Sequence, residues 1–72
     1  MPAFYFTFGN NMSLKDNYVK IEAANQMEAR TVMVQHHGTR WAFDYTEEQF
    51  LPQISKYGLT EVPLGTKCTY IN

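Results

Sequence analysis

Phe4-Tyr5-Phe6-Thr7-Phe8 places a phenylalanine at every second position. Side chains alternate across a β-strand, so this spacing predicts a strand with Phe4, Phe6 and Phe8 on one face and Tyr5 and Thr7 on the other. Trp41-Ala42-Phe43-Asp44-Tyr45 repeats the pattern. Read at strict period 2, Trp41, Phe43 and Tyr45 share a face opposite Ala42 and Asp44. Two such strands demand a sheet with a strongly apolar face. A chain of 72 residues buries only a modest fraction of its surface, so the core must be efficient. Rings provide that efficiency, at roughly 1.5–3 kcal/mol for each fully buried Phe. Phe4, Phe6, Phe8, Trp41 and Phe43 are accordingly assigned to the core.

The remaining elements follow from local signals. Ala3–Phe8 forms the first strand, and Gly9-Asn10-Asn11 breaks it. Asn17–Ala23 forms the second, with Val19, Ile21 and Ala23 opposite Tyr18, Lys20 and Glu22. Its connection is too short for a crossover helix, so the pair is antiparallel. Asn25 is an N-cap with Glu28 three residues on. Ala29, Val32, Met33 and His36 then make an apolar stripe at helical spacing that ends at Gly38. Arg40–Tyr45 is the third strand. Thr46 caps a second helix, with Gln49 as reciprocal partner, and Pro52 predicts a kink or a fresh start within it. Gly58 ends this helix. Leu59–Leu64 is a fourth, edge strand limited by Pro63. The expected fold is α+β in the order β-β-α-β-α-β: a small, mostly antiparallel sheet with two helices packed on one face. Residues 1–72 read as a single domain, with 63–72 as a C-terminal tail or edge strand.

Charge and cysteine content narrow the function classes. Six basic residues stand against seven acidic ones, and no like-charge run exceeds Glu47-Glu48. Phosphate recognition draws on a concentrated basic patch, and none is evident. Near-neutral chains associate readily, so a homo-oligomer is a possible state. Cys68 is the single cysteine, which excludes an intramolecular disulfide and favours a reducing compartment. No apolar run is long enough to span a membrane. The expectation is a cytoplasmic protein without membrane contact.

Candidate catalytic groups are sparse. His36 and His37 are adjacent, so on a helix they point about 100° apart and do not share one metal. Cys68, Asp44, Glu47 and Glu48 show no metal-ligand spacing with them. Met1-Pro2 before a strand resembles the tautomerase superfamily, whose N-terminal proline amine is the base. That family continues into a long helix, where this chain continues into Gly9-Asn10-Asn11 and a second strand. Cys68 has no neighbouring histidine, Ser13 and Ser55 lack a glycine-flanked elbow, and first-turn Glu47 and Glu48 are ordinary helix stabilisers. The reading is a non-enzyme, with no catalytic residue, no metal ligand and no cofactor.

Two surfaces remain as partner-binding candidates. With both helices on the phenylalanine side, Tyr5, Tyr18 and Lys20 are exposed on the opposite sheet face together with Glu22. Aromatic and basic residues so placed stack single-stranded bases, which makes a nucleic-acid accessory role the alternative reading. On the first helix, Met27 and Val34 lie seven residues apart and away from the core stripe, with Arg30 and Thr31 between them. Met adapts to varied contacts, so Met27, Arg30 and Val34 form a second candidate surface.

Taken together, Phe4-Tyr5-Phe6-Thr7-Phe8-Gly9, Tyr18-Val19-Lys20-Ile21-Glu22-Ala23, Glu28-Ala29-Arg30 and Trp41-Ala42-Phe43-Asp44-Tyr45 resemble a recurring type of small phage and prophage protein. The pattern continues through Glu47-Glu48-Gln49-Phe50 and Lys56-Tyr57-Gly58-Leu59, and so covers most of residues 3–62. The resemblance implies a protein that binds and blocks a host protein, including an anti-CRISPR or other anti-defence inhibitor. It implies a host defence complex as the partner and carries no catalytic residues with it.

Overall fold

The computed structural model of the chain describes residues 2–9, 11–38 and 41–69. Its elements are β1 (Ala3–Phe8), β2 (Asn17–Glu22), α1 (Gln26–His37), β3 (Trp41–Thr46), α2 (Glu47–Tyr57) and β4 (Thr60–Glu61). The four strands form one sheet in the order β3-β1-β2-β4. β1 pairs antiparallel with both β2 and β3, and β4 runs parallel to β2. The α+β class, the order of elements and the mostly antiparallel sheet agree with the sequence reading. Arg40 and the segment from Tyr70 lie outside the described residues.

The sidedness of the helices differs from the expectation. The cluster around Phe4, Phe6, Phe8, Val19 and Ile21 takes Ala29 and Met33 from α1. A separate cluster of Ala3, Tyr5 and Tyr18 takes Phe50 from α2. Neighbouring residues of β1 point to opposite faces, so the helices cover opposite faces rather than one. Topology explains why. β2, β3 and β4 share one direction, so α1 and α2 are both crossovers between parallel strands. α1 carries the chain from β2 across β1 to β3, and α2 carries it back from β3 to β4 on the far edge. Crossovers are overwhelmingly right-handed, and reversing the direction of travel at constant hand moves the helix to the other face.

A bulge settles the faces of β3. Thr7 pairs with Phe43 but Phe8 pairs with Trp41, which leaves Ala42 without an opposite residue. Phe43 and Tyr45 therefore share the α2 face with Thr7 and Tyr5. Trp41 turns to the α1 face, where its ring meets Phe6 edge-on at 5.2 Å. The expectation that Trp41, Phe43 and Tyr45 share one face is corrected by this single extra residue. Phe43 is not in the core but 63% exposed.

Helix boundaries follow their caps. The Asn25 side chain accepts from the Glu28 backbone N–H at 2.8 Å. The buried stripe of α1 is Ala29, Met33 and His37, with Val32 half-buried; His36, expected on that stripe, is exposed. The His37 ring instead packs edge-on against Phe8 at 5.4 Å. Thr46 and Gln49 form a full capping box on α2. α2 runs unbroken from Glu47 to Tyr57 through Pro52, although proline removes one i→i−4 hydrogen bond. The capping box on one side of Pro52, and Phe50 and Ile54 packed on the sheet, offset that loss. Gly58 closes the helix in the left-handed conformation at φ 63° and ψ 38°, donating its N–H to Ile54.

β4 is shorter than expected, with Thr60 and Glu61 alone paired to Asn17 and Tyr18. Beyond Pro63 the chain returns to the connection between β1 and β2. Ser13 donates its backbone N–H to Thr69 at 2.8 Å, and Thr69 donates to the Ser13 hydroxyl at 3.0 Å. Cys68 is thereby buried in the α1-side cluster. No strand forms between 62 and 69.

Candidate interaction surface

α1 is fixed at its β3 side by a polar clamp. Gln26 Nε2 donates to Asp44 Oδ2 at 2.6 Å. Arg30 donates through Nε to the same oxygen at 2.8 Å and through Nη2 to Oδ1 at 3.3 Å. This two-pronged contact holds the guanidinium in one orientation. Burial pushes the Asp44 carboxyl up, but the Arg30 and Gln26 hydrogen bonds and the Arg30 charge outweigh it and hold its pKa below the usual range. Asp44 therefore supports the fold where it is ionised, and that support fades as pH falls through its lowered pKa.

The clamp orients the rest of the helix. Ala29, Met33 and His37 face the sheet, Gln26 and Arg30 point toward β3, and Met27 and Val34 come next around the helix on the same flank. Met27 is 76% exposed and Val34 51%. Thr31 lies outward as well, its hydroxyl bonded to the Met27 carbonyl at 3.0 Å. Three of the predicted partner-binding residues, Met27, Arg30 and Val34, are thus brought together on one solvent-facing strip.

The other three are not. Tyr5 and Tyr18 are buried, at 4% and 8% exposure, beneath Phe50 of α2. Their expected display on an open sheet face is overturned by the crossover that lays α2 over them. Phe50 stacks on Tyr5 at 5.0 Å and meets Tyr18 edge-on at 5.1 Å. Lys20 is exposed, opposite Tyr5 in register, and stands apart from the α1 strip on the α2 face. The exposed aromatic surface lies elsewhere, at Phe43 and at Tyr57, whose ring receives Lys56 Nζ at 5.4 Å. Sequence spacing missed Phe43 because a bulge leaves no signature in period 2.

Tyr5 carries a second consequence of burial. Desolvation pushes its hydroxyl up to about 12, aided by the hydrogen bond it donates to Glu47 Oε2 at 3.2 Å and by the negative charge of Glu47. Burial and the Glu61 charge also raise Tyr18. A group whose folded pKa is raised stabilises fully below its unfolded value and loses that support as pH rises through the folded one. Folding stability is therefore expected to decline above the ordinary tyrosine pKa of about 10. Tyr5→Phe is expected to flatten part of that decline in denaturation midpoints measured against pH, leaving the Tyr18 portion. An unchanged alkaline slope would show that Tyr5 titrates as a free phenol.

Near the start of α2, Pro2, Ala3, Phe4, Thr46, Glu47 and Glu48 line an open cleft of about 410 Å³. Glu47 is already engaged by Tyr5, and no group there pairs a nucleophile with a base. Among the described residues, no three histidine, cysteine or carboxylate side chains are grouped to hold a metal ion. No helix among them is long and apolar enough to cross a membrane. Comparison with family models, curated proteins and solved structures finds no match to this chain.

Proposed function

We propose that this chain is a non-enzymatic interaction module that binds and blocks a host protein in the cytoplasm, in the manner of small phage inhibitors of host defence, anti-CRISPR proteins among them. The observation that supports it is the strip formed by Met27 and Val34. α1 places Ala29, Met33 and His37 in the core, and these two apolar side chains are left largely exposed outside the core clusters. Arg30 between them is pinned by Asp44, which lowers the entropy cost of presenting the strip to a partner. Met supplies an adaptable apolar contact and the half-exposed guanidinium keeps further donors, a combination that suits a partner groove with an apolar floor and an acceptor at its rim. The resemblance to small phage proteins supplies the class of partner.

A nucleic-acid role through the outer sheet face requires Tyr5 and Tyr18 to stack bases, and α2 occupies that face. The discriminating experiment is a pull-down from host lysate with mass spectrometry, run at low and high salt. The expected result is one stoichiometric protein that survives high salt and is lost with Met27→Glu or Val34→Glu. Recovery of nucleic acid alone, with affinity falling steeply as salt rises, would sink the proposal.

A further inference from the structure

The segment that follows β4 is tied down at its two ends and not between them. At one end Thr60 and Val62 donate their N–H groups to the Asp16 and Tyr18 carbonyls at 3.2 and 2.9 Å. At the other, Ser13 donates its N–H to the Thr69 carbonyl and accepts the Thr69 N–H on its hydroxyl. Among the described residues, no backbone hydrogen bond joins 63–68 to the rest of the chain. Thr66 instead donates its N–H and its hydroxyl to the Pro63 carbonyl, at 3.1 and 2.6 Å, within the segment's own turn. Gly65 lies in that turn at φ 92°, and a Cβ there would stand 3.9 Å from His36 Nδ1 on α1. The segment therefore passes the last turn of α1 on its way to Ser13. Val62 and Leu64 pack half-buried against the α1-side cluster, and Cys68 is buried in it.

We propose that residues 63–69 form a strap, latched by Ser13, that opens and recloses as a unit while the sheet and both helices stay folded. Local opening falls to segments with few buried side chains and a backbone outside any helix or ladder. The strap meets both conditions, since it buries one cysteine and half-buries one leucine, and its backbone belongs to no strand or helix. The core beneath it is closed by other means. Phe4, Phe6, Phe8, Val19 and Ile21 pack on Ala29 and Met33 of α1, and their strands are paired through their own ladders. Gly65 is the natural hinge, because glycine moves between positive and negative φ without a side-chain clash. Opening withdraws Leu64 from the cluster and brings the Cys68 thiol into water. This strap stands independently of the host-protein reading, which rests on Met27 and Val34.

Cys68 reports the motion, because it is the single thiol of the chain and is 3% exposed when the strap is latched. The full chain is mixed with excess aromatic disulfide, whose released thiolate is read by absorbance, at denaturant concentrations below the unfolding transition. Labelling is expected at least about ten-fold faster than the unfolded population allows, and nearly independent of denaturant, since a small opening exposes little surface. Ser13→Ala removes the acceptor of the Thr69 N–H and is expected to raise the rate about five-fold, the equivalent of one net hydrogen bond. Ile54→Val trims the α2-side cluster, which stays packed whether the strap is open or shut. It is expected to lower the global denaturation midpoint and leave Cys68 labelling at the parent rate. Labelling that rises with denaturant and with Ile54→Val in step with global unfolding overturns the inference. So does a Ser13→Ala chain that labels at the parent rate, or a parent chain that labels as fast as the fully denatured one.

Discussion

Phe50→Ala is expected to cost about 3–5 kcal/mol, the range for removing a large ring from a packed core. Phe50 is fully buried, with its ring 5.0 to 5.3 Å from those of Tyr5, Tyr18 and Tyr45. Besides Phe50, α2 is held on this face by the partly buried Ile54 and by the Tyr5–Glu47 hydrogen bond. Domains of this length derive roughly 3–5 kcal/mol from their cores, so the substitution consumes most of the stability at once. Denaturant titration followed by far-ultraviolet dichroism should show a markedly lower midpoint or no folded baseline. If a folded remnant persists, Tyr5 should lose its desolvation and its tyrosinate should form nearer the ordinary pKa. A midpoint within about 0.5 kcal/mol of the parent, the range for surface changes, would mean that α2 does not seal this face.

That face also marks the boundary of what the sequence conveys. Strand spacing in β1 and β2, the Asn25 and Thr46 caps and the stop at Gly58 are local, and local rules recover them because each depends on residues within one turn or one pleat. Helix sidedness depends on the direction of β4, a non-local pairing that two exposed residues, Thr60 and Glu61, do not announce. A hint was present nonetheless. Tyr5 lies between Phe4 and Phe6, so β1 is aromatic on consecutive positions, as befits a central strand covered on both faces. Tyrosine is not confined to the surface, because its hydroxyl needs only one partner to be buried, and Glu47 supplies it for Tyr5. Met27 and Val34 were legible as exposed because helical azimuth alone separates them from Ala29 and Met33.

The same helix offers a paired test in which one substitution is severe and its neighbour mild. Met33 is fully buried among Phe and aliphatic side chains on the α1 side of the sheet. Met33→Glu places a carboxyl there without a partner, at a cost on the order of 3–5 kcal/mol when ionised. Burial raises the pKa of the introduced carboxyl in the folded state. Stability is then greatest below its unfolded value of about 4.3 and lost as pH rises through the raised value, so mild acid should partly restore the fold. Met27→Glu, on the same helix but 76% exposed, is expected to change stability by no more than about 0.5 kcal/mol at any of these pH values. Its effect should appear in host-protein binding, where loss of a central contact of at least about 2 kcal/mol weakens affinity some thirty-fold. Calorimetric unfolding across pH reads the first effect, and titration against the captured partner reads the second. If Met27→Glu unfolds the chain as Met33→Glu does, Met27 belongs to the core and the strip is no interface. If it folds and binds as the parent does, the interface lies elsewhere on the molecule.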